Sequence, residues 1–98
     1  YTILGRNWRV RGGEIDIIAL DRDELVFVEV RVRAGLDGAA EGSVDTRKLA
    51  TLLRAGRRYV EAHEEHEDRI WRVDLVAIDL ASNRSVRSYR HYQNLTLE

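Results

Sequence analysis

The sequence predicts an α/β fold, a central sheet of about five strands with at least one helix packed on it, and three observations carry that prediction. Residues 25–33 alternate strictly: Val26, Val28, Val30 and Val32 lie on one side, with Leu25, Phe27, Glu29, Arg31 and Arg33 on the other. That is the period-two signature of a strand. Residues 46–65 instead place Leu49, Leu52, Leu53, Gly56, Tyr59, Val60 and His63 at the i, i+3, i+4, i+7 spacing of an amphipathic helix. Two further apolar segments, 72–80 and 85–93, read as strands joined by a Ser82-Asn83 turn. The 98 residues, 44% hydrophobic and 34% charged, suffice for one core and a single domain over 1–98.

The elements follow in order. Leu4, Trp8 and Val10 share one face of a first strand over 3–10, and Arg11-Gly12-Gly13 turns the chain, because adjacent glycines reach positive φ without steric cost. Along 14–20, Glu14, Asp16, Ile18 and Leu20 point one way while Ile15, Ile17 and Ala19 point the other. The polar turn Asp21-Arg22-Asp23 then closes 14–20 and 25–33 into a β-hairpin. Residues 34–43, rich in Gly and Ala, read as a mobile loop, a composition that does not by itself make 35–42 a substrate gate. Asp45 is a good N-cap for the helix. Gly56 on the apolar stripe marks close approach to the sheet, and Arg47, Arg54 and Arg58 form an exposed stripe opposite.

Composition excludes several classes. There is no cysteine, hence no disulfide framework, zinc-thiolate site or cysteine nucleophile, and a reducing cytoplasm is the expected location. No apolar run approaches the ~18–20 residues of a membrane span, so no membrane partner is expected. The chain begins at Tyr1 without Met and is expected to lack residues upstream. Net charge is −1, yet residues 47–59 hold five bases (Arg47, Lys48, Arg54, Arg57, Arg58) and no acid, while 60–68 hold five acids and no base. Fifteen of the sixteen basic residues are Arg, whose fork suits phosphate better than Lys does. The basic block is a candidate nucleic-acid contact through Arg47, Lys48, Arg54 and Arg58, or an ordinary helix surface.

Chemistry concentrates in the hairpin. If Leu20 faces Leu25, Asp16 lies opposite Glu29 and Glu14 opposite Arg31. Two carboxylates directly across a ladder, Cβ atoms ~4.5–5.5 Å apart, repel unless a cation lies between them, and a hard divalent ion prefers such oxygen ligands. The alternative is a solvated hairpin face neutralised by Arg31 and Arg33. Elsewhere, His63 and His66 stand at i, i+3, a spacing that fits a solvated acidic helix end better than a metal site. Trp8 and Trp71 read as core aromatics, Asp74 as a structural partner of Arg72 or Arg90, and His91 and Asn94 as hydrogen-bonding anchors of the C-terminal tail.

Tyr1-x-Ile3-Leu4-x-Arg6-Asn7-Trp8-Arg9, Arg11-Gly12-Gly13-Glu14-Ile15-Asp16-Ile17-Ile18-Ala19 and Leu25-Val26-Phe27-Val28-Glu29-Val30-Arg31-x-Arg33 resemble the YraN-like family of the restriction-endonuclease-like, PD-(D/E)XK nuclease superfamily. The likeness continues through Val44–Lys48, Arg72–Ala77 and His91-x-x-Asn94. It implies a mixed sheet of about five strands with helices on its faces, and an analogy to Holliday-junction resolvases. By the resemblance Asp16 and Glu29 are the two acids of the nuclease motif, Arg31 stands where the motif has Lys, and Glu14 is an acid particular to the family. The implied cofactor is Mg²⁺ (or Mn²⁺), held by Asp16 and Glu29 with the Val30 carbonyl, Glu14 being either a further ligand or a salt-bridge partner of Arg31. The implied partner is nucleic acid, DNA before RNA, with a homodimer left open. Two departures separate the chain from the motif: Arg31 cannot exchange its proton as Lys can, and the family's N-terminal helix, with its additional Glu, has no counterpart here. The functional expectation is therefore a metal-dependent nuclease-fold protein that acts on or binds structured nucleic acid, with resolvase-like phosphodiester hydrolysis as its reaction. The alternative is a module of the same fold without turnover, binding nucleic acid or protein.

Overall fold

The computed structural model describes residues 1–35 and 39–96. Strands β1 (Thr2–Val10), β2 (Gly13–Asp21) and β3 (Glu24–Ala34) precede α1 (Ala39–Gly42) and α2 (Thr46–Ala62); a 3₁₀ turn at Glu64–His66 leads to β4 (Trp71–Leu80) and β5 (Val86–Tyr92). One sheet runs in the order β1-β2-β3-β4-β5. Only β3 and β4 are parallel, and α2 lies in the connection between them, as a parallel pair requires a crossover. The α/β fold class with a mixed five-stranded sheet is thus observed.

Helix α2 begins as its cap residue dictates, with Asp45 Oδ1 accepting the Lys48 N–H at 2.8 Å. Its apolar face, Leu49, Leu52, Ala55 and Tyr59, packs on Ile15, Ile18, Leu25, Phe27 and Val73 of the sheet. Gly56 lies where helix and sheet approach most closely, since a Cβ there would sit 2.8 Å from the rings of Phe27 and Trp71. Leu53 and Val60, expected at the centre of this face, are only half-buried at its margin, and Ala55 takes the central place. Trp8 and Trp71 are packing residues: Trp8 meets Tyr59 edge-on at 5.2 Å, and Trp71 meets Phe27 at 5.4 Å.

The expected loop over 34–43 contains one turn of helix, α1, which its Gly- and Ala-rich sequence did not signal. Ala40 is fully buried, and Glu41 accepts from Arg90 Nη2 at 2.7 Å and from the Tyr92 hydroxyl at 2.8 Å. Arg90 beside it holds the Glu41 carboxyl down at about 2. Residues 36–38 of that loop lie outside the described residues.

The opposite sheet face carries a different device. Asp74, fully buried, accepts from the Tyr1 hydroxyl (3.0 Å), Arg72 Nε (3.1 Å) and the Asn94 backbone N–H (3.0 Å), with His91 Nε2 at 2.8 Å. Burial alone would raise this carboxyl, but the Asn94 N–H, Arg72, His91 and Tyr1 together hold it below the ordinary aspartate range. The partnership of Asp74 with Arg72 and the anchoring by His91 and Asn94 are as expected. Among the described residues no helix is long and apolar enough to cross a membrane.

Gly56→Ala should destabilise the fold by about 1–3 kcal/mol, because the added methyl meets two rings that are already packed. Chemical denaturation measures this, and an unchanged midpoint would contradict the close approach.

Candidate functional site

The β2–β3 ladder runs from Asp21 opposite Glu24 to Ile17 opposite Val28, in the register set by Leu20 facing Leu25. The next positions in line are Asp16 and Glu29. There the Val30 N–H is taken by Asp16 Oδ2 at 2.9 Å, so a side-chain carboxylate occupies the place of a ladder carbonyl. The inward alternation slips beside it: Ile15 and Ile18, three residues apart, both enter the core under α2. A regular strand would have sent Ile15 to the other face. In consequence Glu14, expected opposite Arg31, lies instead by Arg9, its Oε1 3.4 Å from the arginine Nε in an exposed contact.

Glu29 is the most enclosed acid of the hairpin, with its side chain 5% exposed. Arg31 Nε lies 2.9 Å and Lys48 Nζ 3.5 Å from its Oε2. Burial pushes the Glu29 carboxyl above the ordinary glutamate range. The charge of Asp16 and a hydrogen bond with it add to the rise, and Lys48 and Arg31 offset only part of it. Asp16 and Glu29 therefore share one site, with one positive charge from the strand and one from the helix. The contact of Arg31 with Glu29 is one of charge, since the buried Arg31 Nε–H finds no aligned hydrogen-bond acceptor.

Lys48 was grouped by sequence with the surface arginines, yet it reaches the carboxylate pair. It is the only lysine of the chain. A signal was present, because Lys48 precedes the buried Leu52, Ala55 and Tyr59 by four, seven and eleven residues and so shares their helical stripe. Arg47, Arg54 and Arg58 are exposed as expected, with Arg54 donating to Thr51 Oγ1 at 3.3 Å. At the expected solvated acidic helix end the acids Glu61, Glu64, Glu65, Glu67 and Asp68 are exposed, whereas the two histidines pack inward. The His63 ring stacks on Tyr59 at 3.9 Å, and His66 is buried and accepts from Arg69 Nε.

The donor set suits a hard cation. Among the described residues no three His, Asp or Glu side chains gather as a complete metal cage. Two adjacent carboxylates, one of them buried and raised by the other, still form the partial oxygen set that Mg²⁺ takes when water and substrate oxygens complete its shell.

A folded-state pKa raised above the unfolded value makes Glu29 a source of stability at acid pH, lost as pH rises through the raised value. Glu29→Gln should therefore raise Tm at pH 7 by several degrees, about 4–8 °C per kcal/mol for a domain of this size, and change it little below the ordinary glutamate pKa. Thermal unfolding at both pH values checks the sign; a Tm lowered at pH 7 would show that the ion pairs outweigh the burial.

The chain matches uncharacterised protein family UPF0102 over residues 1–78. It is similar to a UPF0102 protein of Roseiflexus castenholzii, 40% identical over 92 residues, which are 93% of this chain and 74% of the relative. A UPF0102 protein of Chloroflexus aurantiacus is 40% identical over 91 residues, 93% of this chain and 73% of the relative. One from Pseudomonas entomophila is 45% identical over 78 residues, 78% of this chain and 63% of the relative. The chain belongs to the UPF0102 (YraN-like) family, which lies in the PD-(D/E)XK nuclease-like superfamily.

Proposed function

We propose that this chain is a metal-dependent hydrolase of phosphodiester bonds in structured nucleic acid, resolvase-like, with Asp16 and Glu29 as its acids. The observation that supports the reading most is the raised, buried Glu29 beside Asp16 where the hairpin ladder gives way. Mg²⁺ (or Mn²⁺) between these carboxylates would supply Lewis acidity, which polarises a phosphate and activates water near neutral pH. Asp16 is oriented by the Val30 N–H. Arg31, paired with Glu29, would offset charge that grows during attack. Lys48 brings the one amine of the site, a positioning role that Arg31 cannot duplicate. DNA is the first substrate class to test, a homodimer the first assembly, and the cytoplasm the proposed location. A second reading, a nucleic-acid-binding or protein-interaction module without turnover, is favoured by Arg31 standing where the superfamily motif has Lys.

The test incubates wild type, Asp16→Ala, Glu29→Ala, Arg31→Lys and Lys48→Arg with junction, duplex and single-stranded DNA in Mn²⁺. Wild type should cleave. Either acid variant should lose about a hundredfold or more. Arg31→Lys should keep or raise the rate, and Lys48→Arg should lower it if the amine itself is needed. Cleavage by Asp16→Ala equal to wild type would refute the site. Salt-sensitive binding without cleavage by any form would favour the second reading.

A further inference from the structure

On the helix side of the β1–β2 turn, Arg11, Gly12 and Gly13 face Thr51, Arg54 and Arg58 across a cleft of about 190 Å³. Its walls are held together by absent side chains. A Cβ on Gly13 would lie 3.3 Å from the Ala55 Cβ and 3.5 Å from Thr51 Cγ2, and Gly12 turns the chain at φ +87°. Three arginines and no acid are among the residues that line this cleft. Among the described residues none of the three forms an ion pair, and Arg54 donates only to the neutral Thr51 hydroxyl. Other exposed arginines of the described residues, Arg47 and Arg57 among them, also form no ion pair, so it is the shared concavity and not the lack of a partner that sets these three apart. Three unpaired cations beside one concavity repel one another, a cost that an anion would relieve.

We propose that this cleft is a second anion site, which holds an uncleaved backbone phosphate of the nucleic-acid strand engaged at Asp16 and Glu29. The inference rests on the nuclease reading for its partner but stands on separate residues. Helix α2 gives the spacing: from Lys48 at the carboxylates to Arg54 and Arg58 the axial rise is about 9–15 Å. At about 3.4 Å per nucleotide along one strand, this places the held phosphate about three or four nucleotides from the reacting bond. Arginine is the suitable side chain, since its planar fork takes two phosphate oxygens at once.

Binding is measured without divalent metal on the chain carrying Asp16→Asn, so that cleavage cannot intervene, with junction and duplex DNA as probes. Arg58→Gln and Arg11→Gln should each weaken binding about tenfold in 0.1 M salt and reduce the salt slope by about one. Arg57→Gln removes the same charge from the adjacent helix position outside the cleft and should change affinity less than about twofold. A single uncharged methylphosphonate walked along the strand should reproduce the Arg58→Gln loss at one position, and that position should lose nothing further in Arg58→Gln protein. Losses equal in Arg57→Gln and Arg58→Gln, or no position-specific methylphosphonate effect, would overturn the cleft. Cleft-dependent binding by a protein that never cleaves would support the cleft and remove the nuclease reading alone. A terminal 5′-phosphate that binds the cleft while internal phosphates do not would overturn the assignment to an internal phosphate.

Discussion

The depth at which α2 sits on the sheet is set by one missing side chain. Gly56 lets the helix come down onto the Phe27 and Trp71 rings, and much else is geared to that contact. Glu29 follows Phe27 by two residues, so it must face the same helix. Lys48 precedes Leu52, Ala55 and Tyr59 on the stripe that Phe27 receives, so it must face the same sheet. One packing interface therefore assembles the core at one end and brings an ammonium to a buried carboxylate at the other. The two are not independently adjustable. A wider helix–sheet separation would loosen the rings and withdraw Lys48 from Glu29 together.

Two buried carboxylates, one on each face of the sheet, show how structural and chemical roles part. Asp74 is surrounded by donors, and they overcome the penalty of burial. Its contribution to stability is present above the ordinary aspartate pKa and disappears as pH falls through the depressed one. Glu29 has the reverse sign, because burial and Asp16 outweigh Arg31 and Lys48. A residue placed to hold the fold has its charge satisfied. At Glu29 the two cations offset only part of what burial and Asp16 impose, and local conflict of this kind is common at functional sites.

The regular parts of the fold were legible because they obey a period. Strand β3, the Asp45 cap, the stripe of α2 and the Leu20–Leu25 register follow from alternation and spacing alone, and with them the convergence of Asp16 on Glu29. What escaped was irregular. The slip between Ile15 and Ile18 depends on a side chain replacing a backbone acceptor, and no period announces that, so Glu14 was assigned to the wrong neighbour. Helix α1 is one turn long, held by Ala40 burial and by Arg90 from β5, a contact that spans 49 residues. Lys48 has a second place that its charge does not announce, since its position on the buried stripe of α2 also carries it to Glu29.

That place bears on the substitution at Arg31. An arginine in the strand keeps a positive charge against Glu29 but has no proton to exchange, which taken alone argues for a site that binds without reacting. The amine is nevertheless not missing from the site. It arrives on α2, held by the Asp45 cap and by the stripe that packs the core. Charge and amine are then divided between two elements, with Arg31 fixed by the ladder and Lys48 by the helix. Such a division sets both cations against the one buried carboxylate, Arg31 at 2.9 Å and Lys48 at 3.5 Å. The same helix continues from Lys48 toward Arg54 and Arg58, so one rigid element links the acid pair to the arginine cleft. The spacing of the acid pair and the cleft is therefore fixed by the rise of about 1.5 Å per residue of one helix and not by a loop that could vary it.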